Sequence, residues 1–170
     1  LRTLEPVESE WPESELDFPV NFFMKMEPED CDLKMKTPTP EDGLAYGKYL
    51  INAAACGDCH TRMENGQFTG EPYAGGFEFQ FPTGTLVSPN ITPDPETGIG
   101  LWSADQFINR FKMYSSEHYS PNKIEDFSEQ TVMPWTMYAG MTETDLKAIY
   151  EYLMSLEPVK NPTERFVAAR

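Results

Sequence analysis

The chain has 170 residues, with 28 acidic against 13 basic side chains and a formal charge of -15. That is length enough for one domain with its own core and some chain to spare. A surface so acidic repels DNA and anionic lipid, which argues against phosphate-backbone binding, and it suits diffusive docking onto a basic partner face at a rate that falls as salt rises.

Residues 1–38 form a segment of their own. Acidic residues dominate, and Pro6, Pro12, Pro19 and Pro28 interrupt any sustained helical period. Trp11, Leu16, Phe18, Val20, Phe22 and Phe23 are interspersed, more apolar surface than a solvated tail carries. The segment reads as an extended arm that wraps the domain or docks a partner, with the ordered wrap favoured.

A compact domain is expected over 39–160. Thr39-Pro40-Glu41-Asp42 opens a helix: Thr39 can cap it, Pro40 suits its first turn, and the acids favour its positive end. Leu44, Tyr46, Gly47, Leu50, Ile51 and Ala54 follow at helical spacing, which places Cys56 at the helix C-terminus. From Arg62 to Gly100 the chain is rich in Gly and Pro. Phe77–Phe81 alternates with period two, Pro82-Thr83-Gly84 turns, and Thr85–Val87 returns as the second strand of a small hairpin. Ser88–Pro95 is irregular loop. A second helix starts at Ser103, boxed by Gln106, with Phe107, Ile108, Phe111 and Tyr114 on its apolar face. A third begins with Thr142 and Asp145, carries Leu146, Ile149, Tyr150, Leu153 and Leu156 on one stripe, and stops before Pro158. Residues 161–170 read as a C-terminal tail, and there is no internal repeat.

The chemistry concentrates in Cys56-Gly57-Asp58-Cys59-His60. Three readings compete. A dithiol redox site of the thioredoxin kind follows a buried strand and begins a helix, whereas here a helix precedes it. A zinc site would need Cys31 and His118 to complete four ligands, and both are isolated in sequence. The third reading is C-x-x-C-H as the attachment signature of a c-type haem. Two thiols three positions apart suit two vinyl groups, and the adjacent histidine suits the iron.

Haem demands a second axial ligand downstream. Of nine methionines, Met133 stands out, because Pro134 biases it toward extended backbone and removes a donor. A thioether opposite histidine raises the reduction potential. Met137 and Met141 lie close behind, where ordinary packing is the simpler reading. Met24, Met26 and Met35 precede the domain, Met154 lies in the last helix, and Met63 is too near His60 to reach the opposite face. His118 is the alternative ligand, with a lower potential. With Cys56 and Cys59 committed, Cys31 is left as a free or buried thiol, or as one half of an intermolecular disulfide.

Taken together, these segments resemble class I c-type cytochromes, and among them the bacterial cytochrome subunits and domains that serve membrane-linked dehydrogenases. The resemblance rests on Gly47–Leu50 before Cys56–Thr61, Ser88–Asp94 with Thr97–Gly100 and Trp102-Ser103, and Met133-Pro134-Trp135 with Tyr138, Met141-Thr142, Asp145-Leu146, Ala148–Tyr150 and Tyr152-Leu153. It covers roughly residues 43–158. It implies that the first and last helices cross at Gly47 and Tyr152, and that Met133 is the family's methionine ligand. Asn90 and Thr92 are implied to hydrogen-bond near the haem edge. Arg62 either pairs with a propionate or is solvated. Trp102, Tyr73 and Trp135 either line the haem pocket, donating to propionates, or pack in the core. The chain departs from such relatives in having one C-x-x-C-H where they often carry several haem domains, and the arm with Cys31 has no counterpart.

The expected fold is mostly α: three or more helices around one covalent haem c, a small β hairpin and an N-terminal arm. The expected function is one-electron transfer in the periplasm. His60 and Met133 saturate the iron, so the chain is not itself a catalyst. It would pass electrons from a donor such as a dehydrogenase to a respiratory acceptor through basic docking surfaces, without binding nucleic acid. No run approaches the ~20 apolar residues that span a bilayer. A start at Leu1 without signal-peptide character reads as a processed, exported product. Two alternatives remain open: a five-coordinate haem enzyme or sensor, and a haem-bearing subunit whose arm builds a larger assembly.

Overall fold

A computed structural model describes residues 3–8, 10, 15–26, 36–115, 119–120 and 131–169. Trp11, Cys31, Met35 and His118 lie outside these. The chain divides into two compact units, Leu1–Lys36 and Thr37–Arg170.

In the first unit, the stretch expected to lack helical structure forms a short helix, α1 (Val20–Met26). Its first turn hangs on the Pro19 carbonyl, which accepts from Phe22 and Phe23 N–H at 3.0 and 3.1 Å. Proline there supplies a fixed φ and sacrifices only a donor the first turn leaves unpaired. None of its residues is buried.

The second unit is built on a crossing of two helices, α2 (Leu44–Ala53) and α6 (Glu143–Met154), with α4 (Ala104–Lys112) packed on α6. Ile51 is fully buried in a core cluster with Leu153, Ile149, Ile99 and Phe107, and Leu146 of α6 is fully buried as well. Each such side chain stabilises the fold by ~1.5–3 kcal/mol. Gly47 lies where the helices meet: a Cβ there would collide with the Ala148 carbonyl oxygen and come within 2.8 Å of Tyr152 Cβ. The Tyr46 hydroxyl donates to Asp145 Oδ1 at 2.6 Å across the same crossing. That bond, ahead of those from Thr142, holds the Asp145 carboxyl below its usual range.

Three capping boxes form among the described residues, at Thr39, at Ser103 as read from the sequence, and at Thr142. Gln106 N–H donates to Ser103 Oγ at 3.2 Å, and Asp145 N–H to Thr142 Oγ1 at 3.1 Å. The first helix differs from expectation at both ends. Thr39–Asp42 makes a separate 3-10 turn, because Gly43 at φ 56° breaks the helical path. At the far end Ala55 is left-handed, φ 53°, so α2 stops and Cys56–Cys59 starts a new turn, α3. Cys56 therefore begins a helix rather than ending one.

Between α3 and α4 lie two hairpins. The first, β1 (Met63–Glu64) with β2 (Gln67–Phe68), turns on Asn65-Gly66, both at positive φ. Asn-Gly is the standard two-residue hairpin pair, and it lies in the stretch read only as rich in Gly and Pro. The second, β3 (Glu78–Phe81) with β4 (Gly84–Val87), pairs Phe79 with Leu86. The residues expected to form a tail supply a third strand instead: β5 (Phe166–Ala168) pairs antiparallel with β4, Phe166 opposite Leu86. A last short helix, α5 (Trp135–Tyr138), precedes α6. No described helix is long and apolar enough to cross a membrane.

Candidate haem-attachment site

Cys56 and Cys59 lie on the single turn of α3, and both are free thiols. Burial pushes the Cys56 thiol up to about 11 and raises Cys59 less. Thiols held protonated are the opposite of what a dithiol redox centre needs.

His60 closes α3, its N–H donating to the Cys56 carbonyl at 2.9 Å. The residue is only 8 % exposed. Its Nδ1 lies 2.8 Å from the Pro89 carbonyl oxygen. A carbonyl only accepts, so Nδ1 carries the proton and Nε2 presents a bare lone pair. Burial lowers the imidazole pKa, which favours this neutral form. No described residue bonds to Nε2, and no sealed, partnerless side-chain nitrogen or oxygen is found among the described residues. Nε2 thus opens onto accessible space. A neutral imidazole, anchored through one nitrogen and open at the other, is the form a metal takes as a ligand. With two free thiols one turn back, these residues fit a covalent haem.

The Pro89 carbonyl is held from both sides. Gly75 N–H donates to the His60 carbonyl at 2.7 Å. Gly75 has φ +77°, and a Cβ on it would lie 2.5 Å from Pro89 C and 2.7 Å from Asn90 N. Asn90, 3 % exposed, spends its whole side chain locking the following loop. Its Nδ2 donates to Thr97 Oγ1 at 3.0 Å and to the Val159 carbonyl at 2.7 Å, while its Oδ1 accepts from Thr92 N–H and Oγ1 at 2.9 and 2.7 Å. Asn90 and Thr92 therefore fix the loop that carries Pro89. Gly75→Ala is expected to destabilise the protein by about 3 kcal/mol, since left-handed strain adds to a backbone collision. The His60 ring should lose its anchor too, seen as loss of the slowly exchanging Nδ1 proton by NMR.

Met133 is half-buried, its N–H on Thr131 Oγ1 at 3.2 Å. After Pro134 the chain forms α5, which is tied at its C-terminal end. Tyr138 OH donates to the Ala54 carbonyl at 2.7 Å. Lys112 Nζ donates to the Ala139 carbonyl at 3.1 Å and also to that of Met141. Trp135 stacks on Tyr114 with centroids 5.1 Å apart, donates from Nε1 to Thr131 Oγ1 at 3.3 Å, and lies 4.7 Å beneath the Arg110 guanidinium. Trp102 is 37 % exposed, and its carbonyl accepts from Tyr150 OH. Arg62 pairs with Glu64 at 2.7 Å, a half-exposed surface pair worth under ~1 kcal/mol. Tyr73 packs over Gly57. No group of three or more His, Cys, Asp or Glu suited to a metal occurs among the described residues.

Sequence reasoning singled out neither Gly75, Tyr138 nor Lys112 for the site. Gly75-Gly76 carried a turn signal. Tyr138 figures only among the residues that carry the family resemblance, and both it and Lys112 act on backbone carbonyls, partners that sequence does not mark.

A sequence model of the family described as Cytochrome c matches residues 44–157. A nicotinate dehydrogenase subunit of Pseudomonas putida is 38% identical over 120 residues, 69% of this chain and 9% of its own length. The cytochrome c subunit of the quinone alcohol dehydrogenase of Gluconobacter oxydans is 32% identical over 117 residues, 68% of this chain and 22% of its own. The gluconate 2-dehydrogenase cytochrome c subunit of Pantoea cypripedii is 38% identical over 108 residues, 64% of this chain and again 22% of its own length. The chain thus spans less than a quarter of each of these relatives.

Proposed function

This chain belongs to the cytochrome c family, and from that membership we propose that it carries one haem c, bonded through Cys56 and Cys59, with His60 and Met133 as axial ligands. When bound, haem supplies a one-electron change at its iron. The observation that carries the reading is the His60–Pro89 bond: it fixes the tautomer, aims Nε2 and leaves that nitrogen without a partner among the described residues. Met133 offers a neutral, soft sulfur, which favours a higher potential than a second imidazole.

With both axial positions filled by protein, no site is left for substrate at the metal. The role is electron relay in the periplasm, from a dehydrogenase to a respiratory acceptor. The relatives' names as dehydrogenase subunits support the donor class. The net charge of -15 supports a basic docking face and a salt-sensitive encounter. The short share of each relative that the chain spans favours a second form of the same role, a haem-bearing part of a larger redox assembly.

The test is the visible spectrum of the chain matured with haem-attachment machinery. A low-spin form with one haem per chain and a methionine-to-iron charge-transfer band is expected. A high-spin ferric spectrum that shifts with cyanide would overturn the assignment in favour of a five-coordinate enzyme or sensor, and absence of any Soret band would overturn haem binding.

A further inference from the structure

The hydrogen bond between Tyr138 and Ala54 joins the two segments on which the ligand set depends. Ala54 is the last residue before the left-handed Ala55, and Cys56 follows directly. In a continuing helix its carbonyl would accept from Asp58 N–H. That N–H bonds to the Ala55 carbonyl instead, at 3.2 Å, and no described backbone N–H reaches Ala54 O. The Tyr138 hydroxyl supplies the missing donor at 2.7 Å, across 84 residues of sequence. Tyr138 is the final residue of α5, and α5 opens right after Met133-Pro134, with Trp135 N–H on the Met133 carbonyl at 2.8 Å. Lys112 holds the same C-terminal end of α5, through the Ala139 and Met141 carbonyls just beyond Tyr138.

We propose that Tyr138 is a positioning residue that latches the methionine loop to the haem-attachment turn, and so sets how readily Met133 leaves the iron. The proposal deepens the ligand assignment above and rests on it. Withdrawal of Met133 carries α5 with it and breaks the latch, so the latch adds its net hydrogen-bond energy to the methionine-bound state alone. A net hydrogen bond corresponds to about three- to tenfold in an equilibrium constant. The phenol is well suited to this, because an ordinary tyrosine hydroxyl is already a donor at neutral pH and burial only raises its pKa further.

Tyr138→Phe removes the hydroxyl and keeps the ring that meets Phe111 edge-on at 6.3 Å. Tyr46→Phe is the control, since it deletes an equally short tyrosine bond at the α2–α6 crossing, away from the loop. Imidazole is titrated into each ferric holoprotein, and loss of the charge-transfer band is followed alongside a thermal melt. Tyr138→Phe should lose the band at about three- to tenfold lower imidazole, and Tyr46→Phe should stay within about twofold of the unaltered protein even if it melts lower. An unchanged midpoint in Tyr138→Phe overturns the latch, and so does an equal shift in both variants, which would mark general loosening. A missing band in the unaltered protein overturns the Met133 assignment, and is seen before any variant is compared.

Discussion

Met133→Ala is expected to abolish the iron–sulfur charge-transfer band and to lower the midpoint potential by on the order of 0.1 V, a fraction of the ~0.8 V over which axial ligands set haem potentials. A thioether is neutral and soft, so it stabilises ferrous iron relative to ferric. Water or a displaced side chain at that position does so less. Met137 and Met141 provide the internal comparison. Met137 is 76 % exposed, and its loss should leave both band and stability as they were. Met141 is partly buried against the core cluster, so its replacement should cost ~2 kcal/mol of stability and spare the band. Should either of these variants lose the band while Met133→Ala keeps it, the ligand lies further along the chain than proposed.

Gly47→Val should destabilise the fold by about 3 kcal/mol or more, lowering the melting temperature by roughly 10 °C. The sign is informative because it runs against local preference: in an isolated helix, replacing glycine stabilises, by ~1 kcal/mol for alanine. Here a Cβ meets the Ala148 carbonyl and Tyr152 Cβ, neither of which is the free end of a flexible side chain. The helices can accept it only by separating, and separation opens the cluster that α2 and α6 share, Ile51 with Ile149 and Leu153. Gly47→Ala isolates the effect, since it adds one methyl group. A urea denaturation midpoint for Gly47→Ala at or above that of the unaltered protein would show that the crossing has slack.

The Met133-Pro134 pair and the helices themselves were legible in local sequence, whereas the crossing at Gly47 was implied by the family resemblance. The Ser103–Gln106 box forms as read, and the last helix opens at Thr142 and Asp145 as read, because capping depends on residues three apart. The α6 stripe buries Leu146, Ile149 and Leu153 as its spacing required. The Phe77–Val87 hairpin follows from alternation and a turn. What escaped was non-local or conformational. β5 exists only because β4, some eighty residues earlier, offers an open edge. Ala55 adopts a left-handed conformation that alanine disfavours, and its residue type gives no sign of it. Asn65-Gly66 did carry a local signal, overshadowed by the surrounding glycine and proline. At the site, the C-x-x-C-H and Met-Pro motifs marked which residues to watch. They could not show that Asn90 would spend every polar atom on protein partners, or that a tyrosine would tie the two motifs together.

The strand and loop beyond α6 bear on what counts as a portable module. The family match ends at residue 157, yet the Val159 carbonyl receives Asn90 Nδ2, Asn161 donates to Thr97 Oγ1 and the Ala74 carbonyl, and β5 completes the sheet through Ala168. A graft cut at the family boundary would sever the strap that keeps the Pro89 loop in register with His60. Anyone transplanting this electron relay into another scaffold should carry the graft through Ala168.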